Sequence, residues 1–188
     1  MVRKLFSYFI PINIYTKNSA VSRSLEVTWN NGELVLDSKG TNYSYGSLQR
    51  TLIDEVEFKG KITGVEIDSA VIAIANQYFG LDKINNVEIV IDDAFKYVLK
   101  TKETYDLIII DIFQDTAIPN FLFQDFFINR INSLLNLNGF ILFNTMVTNI
   151  KQKERNLVYK SKFNGNYSLR MYPKVEIHNE LFTIKKLS

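Results

Sequence analysis

An open α/β sheet wound on both faces, preceded by a small β subdomain, is the fold this sequence predicts, and three observations predict it. Residues 105–111, YDLIIID, form a near-continuous apolar run, the mark of a strand buried on both faces of a parallel sheet. Strand-like and helix-like patterns alternate from residue 61 to residue 160. Two alternating runs, 25–29 and 33–37, flank Asn30-Asn31-Gly32, and Asn-Gly between such runs signals a hairpin because both residues tolerate positive φ.

At 188 residues the chain suits one domain with a small appended piece. Lys plus Arg is 22 and Asp plus Glu is 20, so the net charge of +2 leaves no electrostatic footprint for nucleic acid or an anionic membrane. Zero cysteines exclude disulfides and thiolate metal sites and suit a reducing compartment, so a cytoplasmic location is expected. The opening MVRKLFSYFIPINIYT has the basic start of a signal peptide, but Pro11 breaks its apolar run and no small-residue cleavage site follows. It reads as a strand-like arm with buried aromatics. No run approaches the ~20 apolar residues of a membrane helix.

The elements follow in order. The hairpin makes residues 1–45 a β subdomain. Leu48, Leu52, Ile53 and Val56 share one helical face over 47–57. A strand spans 61–67, and Ser69 begins a helix that Gly80 ends. Strand 87–91 precedes a short helix, 94–100, and then comes the apolar strand at 105–111. Residues 123–135 are helical, Gly139 sits in a turn, and 140–143 is another buried strand. Residues 151–160 read as a solvated helix, while 168–172 and 181–185 form an antiparallel pair at the sheet edge. Phe121, Phe123, Phe126 and Phe127, at near-helical spacing, belong to the core.

Three acidic clusters share one position, the C-terminal end of a predicted parallel strand: Glu66 with Asp68, Asp92 with Asp93, and Asp111 with Asp115. That end of an open α/β sheet faces the ligand crevice, where carboxylates accept hydrogen bonds from ribose hydroxyls or an adenine amine, or attract a cation. The plainer reading of any one of them is a helix cap or a solvated loop acid, and Asp68 beside Ser69 suits a cap. His178, the single histidine, has no second His or Cys near it in sequence, so it reads as a loop residue and no metal site is expected. No nucleophile setting such as G-x-S-x-G occurs. Lys151, Lys153 and Arg155, mixed with Glu154, read as a solvated face rather than a nucleic-acid patch.

GVEID at 64–68, IDDAFKYV at 91–98, YDLIIIDIF at 105–113 and LFQDFFINRINSLLNLNGFIL at 122–142 resemble the spermidine synthase-like branch of the class I S-adenosylmethionine-dependent methyltransferase superfamily. NYSYGSLQR at 42–50 and the closing strands fit that branch as well. The resemblance implies that residues 46–188 form a Rossmann-like domain of the type that binds S-adenosylmethionine or its decarboxylated form. It implies that Glu66 holds ribose hydroxyls and that Asp93, followed by the small Ala94, accepts from the adenine amine. Asp68 and Asp92 are further cofactor-binding candidates, Asp92 the weaker for the adenine. Asp111 falls where polyamine synthases keep the carboxylate that takes a proton from the attacking amine, since an ammonium is no nucleophile. Tyr45, Gln49 and Asp115 fall near the acceptor substrate, a small molecule, although Tyr45 also reads as a core aromatic. A homodimer is implied by the resemblance alone.

The chain departs from that pattern in two places. Between Gln49 and Lys61 there is no room for the branch's first, central strand and its glycine-rich loop, whose glycines let the backbone approach the methionine part of the cofactor. The join has the look of a deletion of about 20–30 residues, one strand–loop–half-helix unit. In addition, Asp111-Ile112-Phe113-Gln114-Asp115 replaces the paired acids around a polar link that suit a polycationic amine. The expectation is therefore a diverged transferase, of methyl or aminopropyl groups, with polyamine synthesis not favoured. The rival is a non-catalytic, dimerising relative that does not bind the cofactor.

Overall fold

The computed structural model describes residues 2–38, 41–42, 60–113, 118–175 and 178–188. It divides into two compact units, Met1–Tyr97 and Val98–Ser188. The expected boundary at 45/46, the helix at 47–57, and Tyr45, Gln49 and Asp115 lie outside the described residues.

In the first unit, helix α1 (Val2–Phe6) precedes strands β1 (Ile12–Ser19), β2 (Arg23–Asn30), β3 (Glu33–Ser38) and β4 (Thr41–Asn42), which pair antiparallel in that order. The β2–β3 turn is the predicted one: Asn31 and Gly32 both adopt positive φ, 48° and 79°, as a hairpin with right-handed strand twist requires. The arm differs from its expected form. It is helical before Pro11 and extended after it, and its aromatics face out, with Phe6 55% and Phe9 83% exposed. The cause is Ser7, the residue of the arm that is buried. Its Oγ donates to the Lys4 carbonyl at 2.7 Å and accepts from the Gly32 N–H at 3.0 Å, so the side chains on either side turn to solvent.

Strand β5 (Ile62–Glu66) pairs in parallel with β6 (Val87–Ile91), and helix α2 (Ser69–Ile74) runs into a π-helical turn that Gly80 ends at φ 70°. Ile74 of α2 shares a core with Leu25, Val27 and Leu36 of the N-terminal sheet. Burial of such side chains contributes roughly 1.5–3 kcal/mol each and holds the sheet on this helix. Helix α3 (Ala94–Lys100) follows β6.

The second unit is built on a sheet ordered β7 (Tyr105–Ile110), β8 (Leu135–Met146), β10 (Asn179–Lys186), β9 (Tyr167–Pro173). β7 and β8 are parallel, whereas β10 is antiparallel to both neighbours, the edge pair expected from the sequence. Between β7 and β8 the helix predicted over 123–135 is α4 (Asp125–Leu134), preceded by a 3-10 turn (Asn120–Phe123). Gly139 lies inside β8 rather than in a turn, and a Cβ there would stand 2.9 Å from the carbonyl oxygens of Asn136 and Asp106. Only glycine lets the strand continue through that approach.

Helix α5 (Ile150–Ser161) keeps its solvated face through Lys151, Lys153 and Glu154, but buries Asn156 and Tyr159. Tyr159 meets Phe123, Phe143, Phe163 and Phe182 at ring-centroid distances of 5.0–5.6 Å, forming the aromatic centre of this unit. Burial pushes its hydroxyl pKa well up. Arg155, expected on the solvated face, lays its guanidinium 3.9 Å from the Phe123 centroid, and its Nε and Nη2 are buried with no hydrogen-bond partner among the described residues. Phe126 is 46% exposed and so departs from the core role expected for it, since it lies off the α4 face that carries Phe127 and Ile131.

β7 departs too from burial on both faces. Ile110 is 6% exposed but Ile109 is 52%, because among the described residues β7 ends its sheet. Among the described residues, β5 and β7 each lie at the edge of their own sheet, and residues 50–59, on which the expectation of an absent central strand falls, lie outside the described residues. No described helix is long and apolar enough to cross a membrane.

Candidate functional site

Parallel pairing of β5 with β6 brings the first two acidic clusters together. Glu66 is opposite Ile91 in register, and the Asp92 N–H donates to the Glu66 carbonyl at 3.2 Å. Glu66 closes β5, and its Oε1 accepts the Asp68 N–H at 2.7 Å. Burial pushes its carboxyl above the usual range, the Asp68 charge adds to that, and the backbone donors at 67 and 68 oppose it.

Asp68 is 4% exposed. Its Oδ1 accepts the Ala70 N–H at 2.9 Å and so caps α2, which fulfils the cap reading. Its Oδ2 accepts two hydroxyls from the β1–β2 turn, Ser19 at 2.5 Å and Ser22 at 2.7 Å. Burial raises its pKa, but these donors outweigh it and hold the carboxyl below its ordinary value.

Asp92 Oδ1 accepts the Asp93 N–H at 2.8 Å, and Asp93 Oδ1 accepts the Phe95 N–H at 2.8 Å, so Asp93 caps α3. Ala94, half-buried, opens that helix. The cap fixes the Asp93 carboxyl at the mouth of the β6 strand end.

Asp111 follows β7 in the second unit. Its Oδ1 accepts from Asn144 Nδ2 at 2.9 Å, and Asn144 Oδ1 accepts from Asn179 Nδ2 at 2.9 Å. Asp111 is exposed as a residue, yet protein atoms crowd its carboxyl and raise its pKa, while the Asn144 bond lowers it. Asn144 is itself 4% exposed. Next to it, Thr145 and Asn156 are joined at 2.9 Å, and Asn156 also donates to Glu180 Oε2 at 2.9 Å, which ties β8 to α5 and β10.

Asn144, Asn179, Ser19 and Ser22 escape a reading that looks for acids. Asn144 was accessible in principle, because it stands at the carboxyl end of the strand predicted at 140–143. The serines carry no local signal. Among the described residues, no group of three or more His, Cys, Asp or Glu could hold a metal, and His178 is an exposed loop residue.

Residues 47–174 match the family model of the spermine/spermidine synthase domain. The chain is 29% identical over 110 residues to a polyamine aminopropyltransferase of Vibrio vulnificus (strain CMCP6), covering 57% of this chain and 37% of that protein. It is 35% identical over 88 residues to one of Thermoplasma volcanium, covering 44% of this chain and 32% of that protein. It thus spans about a third of these curated relatives' lengths. Spermidine synthase bound to the transition-state analogue AdoDATO superposes with a TM-score of 0.70 at 19% identity, covering 94% of this chain and 74% of that one. Human methyltransferase-like protein 13 in complex with SAH gives 0.59 at 21%, covering 76% and 68%. Both likenesses establish the fold, a class I methyltransferase-like sheet with an N-terminal hairpin sheet. With a family model that spans two thirds of its length, the chain belongs to the spermine/spermidine synthase family.

Proposed function

We propose that the protein transfers an alkyl group from a sulfonium nucleoside to a small amine, with Glu66 and Asp93 at the nucleoside and Asp111 at the amine. The observation that carries this reading is the Asp111–Asn144–Asn179 chain, which holds one carboxylate oxygen in place at a strand end. A carboxylate so held draws an ammonium close and accepts its proton, which leaves the lone pair needed for attack. The bound nucleoside, S-adenosylmethionine or its decarboxylated form, supplies an activated carbon next to sulfur. The residues present suit its ribose and adenine, whereas the stretch between Gln49 and Lys61 has no glycine loop for its methionine end. Asp115, Tyr45 and Gln49 are proposed around the acceptor, and the absence of cysteine supports a cytoplasmic setting.

Titration calorimetry with 5′-methylthioadenosine tests the nucleoside half. The protein is expected to bind it, and Glu66→Ala is expected to weaken binding by roughly 10–100-fold, the loss of a charge-assisted hydrogen bond. Equal affinity of the variant would remove Glu66 from the site. No binding by the unaltered protein would favour the second reading, a non-catalytic relative without the glycine loop between Gln49 and Lys61.

The dimer also belongs to this proposal. Leu5, Phe6, Tyr8, Phe9 and Ile10 are each more than half exposed on a turn that Ser7 pins. Their exposed area is on the order of 600 Å², taking 150–250 Å² for a large side chain, against about 800 Å² per partner in a stable interface. Such an apolar surface suits a second copy. Phe9→Asp is expected to convert a dimer to a monomer in sedimentation equilibrium, and a monomeric unaltered protein would refute the pairing.

A further inference from the structure

We infer that Ser19 and Ser22, on the turn between β1 and β2, are positioning residues for Glu66 and act on it through Asp68. The inference rests on the reading that Glu66 grips a ribose.

The geometry has more in it than a helix cap needs. Capping α2 uses one carboxylate oxygen of Asp68, the one that accepts the Ala70 N–H. The other oxygen receives hydroxyls from residues 46 and 49 positions earlier. Ser19 is prepared for this task, because its Oγ also accepts the N–H groups of Val21 and Ser22, at 3.0 and 3.1 Å, and the turn folds around it. Asp68 then passes the constraint on. Its own N–H donates to Glu66 Oε1 at 2.7 Å, so the main chain at Asp68, together with the backbone donor at Ile67, restrains the orientation of the Glu66 carboxyl group. The shared core of Leu25, Val27, Leu36 and Ile74 keeps the N-terminal sheet against α2, so the turn reaches Asp68 from a rigid base.

Ligand contact suits Asp68 poorly, since it is buried and both its oxygens are engaged. It suits Glu66 well, since one oxygen is held and the group stands at the strand end. A carboxylate gripping the paired hydroxyls of a ribose must have its plane fixed, because two parallel hydrogen bonds demand more of orientation than one does. The N-terminal β sheet is thereby made part of the nucleoside site without touching the nucleoside.

The test compares the affinity of the full chain for 5′-methylthioadenosine with that for its 2′-deoxy analogue. The unaltered protein is expected to favour the ribose form by roughly tenfold or more, the worth of a hydrogen bond to a charged group. In Ser19→Ala/Ser22→Ala, checked as folded by urea denaturation, that ratio is expected to collapse toward one. Ser22→Ala alone leaves the Ser19 hydroxyl on Asp68, is expected to fold even where the double variant does not, and is expected to give an intermediate ratio. Ser19→Thr, which keeps the hydroxyl, is expected to restore the ratio. A serine variant that loses only stability and keeps the full preference would overturn the inference while leaving the ribose reading intact. An unaltered protein that binds both nucleosides equally would remove the ribose reading and this inference with it.

Discussion

Asp111→Asn is expected to lower turnover by roughly 10²–10⁴-fold, the usual contribution of a positioned general base. The assay is stopped-time transfer from decarboxylated S-adenosylmethionine to putrescine, a diamine that tests the amine half of the proposal. The amide is nearly isosteric and can still meet Asn144, so the β7 end stays in place while proton acceptance is lost. Nucleoside affinity is expected to be unchanged, which separates this variant from Glu66→Ala. Turnover equal to that of the unaltered protein would remove Asp111 as the base.

The pH dependence adds a second readout of the same group. Crowding of the Asp111 carboxyl by protein atoms raises its pKa, and the Asn144 bond works against that rise. A base must be ionised to accept a proton, so activity falls as pH drops through the raised value. The acid limb of kcat/KM is therefore expected above the ordinary aspartate range. Asn144→Ala removes the bond that lowers the pKa, and so should move that limb further up. A limb that stays put in Asn144→Ala would show that the amide does not tune the carboxylate.

Phe143→Ala carries the largest expected cost to folding, about 3–5 kcal/mol. Phe143 is fully buried in β8, and its ring meets Phe123, Tyr159 and Phe182 at centroid distances of 5.5, 5.0 and 6.4 Å. Truncation opens a void that three large rings, fixed by their own neighbours, are poorly able to fill. The loss should appear as a lower urea midpoint with an unchanged slope. A change below about 1 kcal/mol would mean the aromatic centre repacks freely.

What was legible in the chain was what depends on neighbours in sequence. Asn31-Gly32 announces its own turn, because positive φ at both positions is a local matter. The strand ending in Glu66 and the apolar run of β7 show their period and their flanking helices. The acids at strand ends follow from those strands, and the caps of Asp68 and Asp93 from the helices that start beside them. What was not legible depends on distant pairing. Nothing near Ser19 tells that its hydroxyl meets an aspartate 49 residues away. Phe9 looks like a core residue until Ser7 is seen to take the buried place. Arg155 has the neighbours of a surface residue, yet it lies flat on Phe123.

The edge of β7 has a consequence for the chain as a material. Among the described residues β7 is an edge strand whose residues 107–110, Leu-Ile-Ile-Ile, hold neither proline nor lysine, and the shift of register between Tyr105 and Leu107 is the device it does carry against further strands adding. A short segment of high β-propensity and no charge, set at an edge, is also the signature of a seed for fibrils. The same strand that builds the second unit is therefore where pairing between copies is expected to begin as concentration rises.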